Sequence, residues 1–507
     1  MIRTLLTALL LMWPMAAHAE WHEAQSDHFV VYADDRATNV ARFAERLERF
    51  DTTLRFLTKA PATPIAPPNR VTVYVTGDMS SIARLAGSSN VAGFYIPRAG
   101  GSVAFVPKRA GDGGRDGIDE EQVLFHEYTH HFMLSHWSDA AFPAWFVEGF
   151  AEFFATTRFQ PDGTIEIARA PMYRARSFAN GVPVSAQALL TGDPARIERS
   201  DLYAGGWLLT HMLILDPARR GQLDRYIAAI AAGKTNATAA EAFGDLRQLD
   251  RDFTRYVRTG LRYSKLPAAS VPAATVRVRA LRPGEAAMMP SVIRSKRGVS
   301  RKAGLALLPM VQRAAAPYPD DAAVQVELAE AEFDAGNYAA AEAAACRAVA
   351  ADPTSIDGHV YIGRARMAAA RAAKNADPQL WRDIRRSFLA ANAIEADDPE
   401  PLMLFYQSFD IPGQTPNANA RDALLRAHVL GPQDRGLRMQ AARVLLETDR
   451  GAEARRILGP VAYAPHGGAA ATFAAELIAI IDRDGAAAAL ARWRGGPQRE
   501  AGDDSDA

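Results

Sequence analysis

The 507-residue chain carries a single cysteine, Cys346. No intramolecular disulfide can form, so stability has to come from apolar burial, helped by a metal if one is bound. Net charge is also missing: 58 basic residues balance 58 acidic ones, which removes the broad electrostatic footprint of a polyanion binder. No apolar run approaches the ~20 residues that a membrane-spanning helix needs. The greasiest stretch, Thr4 to Ala17, follows Arg3 and precedes Ala17-His18-Ala19, the positive start and small-x-small site of a secretory signal. Residues 1–19 therefore read as a signal peptide, and the mature chain is expected in the periplasm or outside the cell. Cys346 lies far from that cleavage point, which argues against a lipid-anchored start.

What is present is ordinary globular composition, 49% hydrophobic and 23% charged, in a chain too long for one core at ~100–200 residues per domain. His28 to Ala33 is β-rich, Ala37 to Lys59 has helical spacing, and Arg70 to Thr76 alternates as a half-buried strand does. Ala92 to Ile96 and Ser102 to Pro107 predict a hairpin. Two helical segments follow between Ile118 and Thr157, and mostly helix from Ser200 to Tyr263. These elements predict an α+β domain over 20–263.

Between Ser264 and Pro290 the chain turns to Pro, Ala and Arg with weak periodicity, which marks a linker or a connecting strand rather than core, and 264–315 is read as linker and connecting helix. Residues 316–495 are Ala-rich and helical. The spacing of Leu328, Ala329, Gly336, Tyr338, Ala341, Ala348 and Pro353 resembles one 34-residue tetratricopeptide unit. Ala420, Ala427 and Pro432 recur at the offsets of Ala341, Ala348 and Pro353, with an insertion near Lys374 to Trp381 between them. Residues 496–507 are polar and acidic, the composition of a disordered tail.

The chemistry-bearing motif is His126-Glu127-Tyr128-Thr129-His130. Residues four apart share one helix face, so both imidazoles can reach a single zinc ion while Glu127 stands beside them as a general base for water. The next helix, Pro143 to Glu152, sets Glu148 and Glu152 one turn apart among Phe146, Phe150, Phe153 and Phe154. Carboxylates in such surroundings need partners. Glu148 is the expected third ligand, and Glu152 the group that accepts the free N–H of a ligating histidine. His136 has the spacing of a third ligand in another zinc pattern, but a continuing helix turns it roughly 240° on from His130. His131 points off the site by the same geometry, and His211 reads as a packing residue.

His-Glu-x-x-His, 17 residues, then Glu148 in Trp-x-x-Glu-Gly-x-Ala resembles the gluzincin metallopeptidases. It is most similar to the peptidase-MA-like proteins of exported bacterial chains, which often join such a domain to tetratricopeptide repeats. The resemblance implies a thermolysin-like metallopeptidase fold followed by an all-α repeat domain, and a Zn2+ cofactor. A more remote resemblance to the aminopeptidase-N-like enzymes gives Tyr203, in Tyr-Ala-Gly-Gly-Trp, the role of stabilising the oxyanion of the tetrahedral intermediate. The Gly-x-Met-Glu-Asn strand of the aminopeptidases is missing before His126, so aminopeptidase activity has no support.

The function expected is hydrolysis of peptide bonds in a peptide or protein substrate, with the repeats available to a protein partner. The rival from another class is a catalytically weak or inactive envelope scaffold that binds proteins through its repeats. An intact Glu127 speaks against it, because a dead site is free to lose its base.

Overall fold

The computed structural model describes residues 20–496 apart from 62–64, 89–90, 92, 109–119, 193–195, 259, 412–413 and 465–466. The expected signal peptide and the tail from residue 497 lie outside the described residues.

A six-stranded mixed sheet opens the molecule: β1 (Trp21–Gln25), β2 (Phe29–Asp34), β3 (Val71–Val75), β4 (Phe94–Ile96) and β5 (Val103–Val106), closed by a late strand, Arg277–Ala280. Between β5 and that late strand in sequence lie β6 (Arg158–Phe159), β7 (Ile165–Ile167) and β8 (Ser264–Leu266), which pair into a small antiparallel sheet; the late strand is β9. The order across the large sheet is β4-β5-β3-β2-β1-β9. β2, β3 and β5 run parallel, while β4, β1 and β9 pair antiparallel. The predicted hairpin is there, with Tyr95 opposite Ala104.

Alternation along the strands divides the core. Val71 and Val73 with Ala104 and Val106 face one side, against Leu47, Phe50, Leu124 and Phe125. Tyr74, Val103 and Phe105 face the other, against Met288, Met289, Val292 and Ile293. The strand β5, second from the sheet's edge, is buried at all four positions, as expected of a strand covered on both faces.

This arrangement corrects the expected linker. Residues 264–315 hold β8, β9 and the helices Pro283–Lys296 and Arg301–Ala315, and those helices form the outer layer over the sheet's second face. A cut near Ser264 would strip an edge strand and leave Tyr74 and Phe105 uncovered. The two halves share a core.

From Pro283 the described chain runs helix after helix to Arg494, each packed on the next. Ala322–Asp334 and Tyr338–Ala351 make the hairpin that the 34-residue spacing predicts. Ala341, Ala344, Ala345 and Ala348 are fully buried along its seam, since small side chains let the helices approach. Ala420 and Ala427 are buried in the same way in the helix Ala418–Leu430.

Candidate metal centre

Helix Glu120–His136 is enclosed by the core on the side of Leu124, Phe125, Tyr128 and Phe132. His126, Glu127 and His130 face the helix Ala144–Ala155 and the cavity beside it, one turn spanning the two imidazoles. Helix Ala144–Ala155 packs alongside and brings Glu148 and Glu152, which are 0% and 1% exposed.

The histidines and Glu148 converge. His126 Nε2 lies 3.1 Å from His130 Nε2 and 3.3 Å from Glu148 Oε2, and His130 Nε2 is 3.6 Å from the same oxygen. Ligands held about 2.0–2.1 Å from a tetrahedral zinc stand about 3.3–3.4 Å from one another. Two imidazole nitrogens and a carboxylate oxygen at these separations fit that ion. Charge points the same way. Burial pushes the His126 imidazole down, but Glu148, Glu152 and Glu127 outweigh it and lift the group to about 9. The cluster is thus over-supplied with negative charge.

Glu152 Oε1 sits 3.6 Å from His126 Nδ1, facing the nitrogen that does not converge on the centre. It is held from behind: the Tyr173 hydroxyl donates to Oε2 at 2.7 Å, and the Arg174 guanidinium donates to Oε1 at 2.7 and 3.2 Å. Both donors come from the 3-10 turn Met172–Phe178, and sequence reasoning missed them. His130 Nδ1 is buried and has no hydrogen-bond partner among the described residues, so this imidazole lacks the outer anchor common at metal ligands.

Tyr203 reaches the centre through a crossing of helices Ala144–Ala155 and Arg199–Leu215. A Cβ on Gly149 would stand 2.2 Å from the Gly206 carbonyl oxygen, and one on Gly206 would stand 2.5 Å from the Trp145 carbonyl oxygen. Only glycine permits this contact. It sets the Tyr203 ring parallel to the His126 imidazole, with centroids 5.8 Å apart and planes at 5°. Arg174 covers the ring at 4.8 Å. Burial and the nearby Glu148 carboxylate raise the Tyr203 hydroxyl well above its usual range.

The other histidines lie elsewhere. His136 packs on Phe132 and Trp137. His131 has Nδ1 at 2.7 Å from the Tyr95 hydroxyl, and burial pushes it down to about 3. His211 lies between the Tyr256 hydroxyl at 2.9 Å and the Arg262 carbonyl at 2.8 Å, packed on Trp207. A second histidine–carboxylate cluster joins His28, Glu48 and Asp51. Asp51 accepts from Arg55 Nε at 2.6 Å and from the Tyr128 hydroxyl at 2.7 Å, while Glu48 accepts from the His28 amide at 3.0 Å and lies 2.5 Å from its Nδ1.

Glu127, His130 and Glu148 line a cavity of about 460 Å3. Its far wall belongs to the helical repeats, through Pro432 to Gly436, Arg438 and the stretch Pro460 to Ala464. The repeats were expected to carry a separate docking surface; here they roof the candidate centre.

No protein-family model matches the sequence, and no curated protein matches it. Among solved structures the chain is similar to a thermophilic TPR protein of Thermus thermophilus, at 18% identity over 38% of this chain and 97% of that one, with a TM-score of 0.33. A superposition that loose carries no argument about fold or function.

Proposed function

We propose that this chain is an exported zinc-dependent peptidase of the gluzincin type, with a thermolysin-like catalytic half in which His126, His130 and Glu148 hold the ion. The observation that carries the reading is the convergence of three ligand atoms 3.1 to 3.6 Å apart at the floor of a cavity lined by Glu127. Bound zinc supplies a Lewis acid for the scissile carbonyl and lowers the pKa of water.

The remaining work falls to the chain's own groups. Glu127 takes the proton of the attacking water and returns it to the leaving nitrogen. Glu152, fixed by Tyr173 and Arg174, favours the His126 tautomer with its proton on Nδ1, leaving Nε2 free to bind. Tyr203 lies beside His126, where its hydroxyl can donate to a developing oxyanion. β4 is a sheet edge whose Tyr95 lines the cavity, a template for an extended peptide.

The test is elemental analysis of purified protein together with cleavage of an unbiased peptide library. One zinc per chain is expected. Glu127→Gln should keep the zinc and lose about 10³-fold in turnover. Activity within about tenfold of the unaltered chain would remove Glu127 as the base.

A further inference from the structure

We propose that a second cavity, between the sheet and the inner face of the first repeats, binds an alkylammonium group, borne by a free polyamine or by a lysine side chain of a peptide. Asp434 lines this cavity and that of the candidate metal centre, but the proposal does not depend on the peptidase reading.

The cavity measures about 580 Å3, within the range of small-ligand sites. The sheet supplies one wall through Arg70, Thr72, Tyr74, Val103 and the turn Arg98 to Gly101, joined by Lys296 at the end of helix Pro283–Lys296. Repeat helices supply the other. Glu330 and Asp334 come from Ala322–Asp334, Asp357, Tyr361 and Arg364 from Ile356–Ala372, and Asp398 and Glu400 from the start of Pro399–Gln407. Asp434 completes six carboxylates against the four cations Arg70, Arg98, Lys296 and Arg364.

Internal pairing leaves part of the acidic wall unbalanced. Lys296 pairs with Glu330, and Arg364 with Glu400 at 3.3 Å. Asp434 is committed to the Ala99 and Leu437 amides at 2.9 and 2.8 Å. Asp334 accepts the Ser295 hydroxyl at 3.1 Å and Asp398 the Glu400 amide at 2.9 Å. Neither of these, nor Asp357, joins an ion pair among the described residues. Burial lifts Asp398 to about 7 and Asp334 to about 6, and raises Glu400 although Arg364 opposes it. A cation placed along this wall would bring all three down again.

Two hydroxyls identify the same place independently. Tyr74 is 4% exposed and Tyr361 6%, both line the cavity, and neither hydroxyl has a hydrogen-bond partner among the described residues. Burial raises both, and the charges that act on them are those of the cavity: Lys296 and Glu330 on each, Arg98 on Tyr74 and Glu400 on Tyr361. Buried hydroxyls are nearly always hydrogen-bonded, and a phenol oxygen accepts from an ammonium. A metal ion suits the wall less well. Among the described residues, three ligand atoms converge only at the His126 and His28 clusters. The carboxylates here are instead spread over three helices, which matches a charge carried on a flexible stem.

The test uses the full-length chain carrying Glu127→Gln, so that no cleavage intervenes, and reads binding by titration calorimetry. Cadaverine is compared with pentanediol, and an acetylated, amidated Ala-Lys-Ala peptide with its norleucine counterpart. At least one ammonium ligand should bind about tenfold or more tightly than its neutral match, and the pair that shows the preference names the source. The preference should be lost when Asp357→Asn and Asp398→Asn are combined, asparagine being an equally good helix cap. Tyr361→Phe should weaken it about fivefold while leaving the melting temperature of the free protein unchanged, since that hydroxyl has no partner to lose. The ligand should raise the melting temperature of the parent chain and not of the paired asparagine variant. If that variant does not fold, Tyr361→Phe decides alone. Equal binding of charged and neutral forms, no binding at millimolar concentration, or a preference that survives these substitutions overturns the proposal.

Discussion

Two clusters of histidine and carboxylate lie on opposite sides of the helix Glu120–His136, and they meet different fates. Tyr128, which reaches Asp51, sits about 200° around the helix from His126. The cluster of His28, Glu48 and Asp51 contains its own compensation, because Arg55, Tyr128 and the His28 backbone amide supply donors to its carboxylates. In the cluster of His126, His130 and Glu148, imidazole nitrogens crowd a carboxylate and His126 is driven to about 9. Residue inventory alone does not separate a metal site from a buried ion-pair network. What separates them is whether the fold has already delivered the cation.

The comparison can be broken by removing one carboxylate from each side. Glu148→Ala should release the zinc and abolish turnover, whereas Glu48→Ala should leave the metal content at one per chain; elemental analysis of both variants decides. If zinc follows Glu48 instead, the assignment of the two clusters is inverted. Asp51→Asn should cost about 2 kcal/mol in denaturant unfolding, because it replaces the charged acceptor of the half-buried Arg55 and of the Tyr128 hydroxyl by a neutral amide, yet zinc should remain. Tyr203→Phe should lower turnover by about 10²-fold with metal unchanged, as expected for one lost oxyanion donor, and a loss of zinc would show the hydroxyl to be structural.

The smallest effect concerns acid. Burial acts to raise the Glu48 carboxyl, but the His28 hydrogen bonds and charge outweigh it and hold the group below its ordinary 4.5. A depressed carboxyl contributes stability that is present above its unfolded pKa and is lost as pH falls through the folded one. Glu48→Gln should therefore be less stable by about 1 kcal/mol near neutrality. The gap should close as the pH drops below about 4. A gap that stays constant across that range would mean that Glu48 acts through shape rather than charge.

The convergence of His126, His130 and Glu148 was legible because its pattern is local: His126 and His130 are one turn apart, and the need to compensate Glu148 could be read from its apolar neighbours. Glu152 was legible as a buried carboxylate, but its partners Tyr173 and Arg174 were not, since a short 3-10 turn has no periodic signature. β9 was legible only as linker or connecting strand because three of its four residues are exposed and none is buried, so it lacks the alternation that marks a half-buried strand. The cavity's far wall was out of reach for another reason. Its clasp joins Ala99 to Asp434, and no local pattern announces a contact between residues so distant along the chain. The 34-residue spacing revealed the repeats and said nothing of what they would lean against.

The contact between Gly149 and Gly206 has a mechanical consequence. Most helix pairs are separated by a layer of side chains that can change rotamer and act as a soft spring. Here main chain presses on main chain, and peptide groups have no comparable freedom to yield. The separation of Tyr203 from His126 is thereby set by a stiff joint, which gives the stacked pair a low compliance. The spacing of the two rings is borrowed from the hardest material a protein possesses, its own backbone.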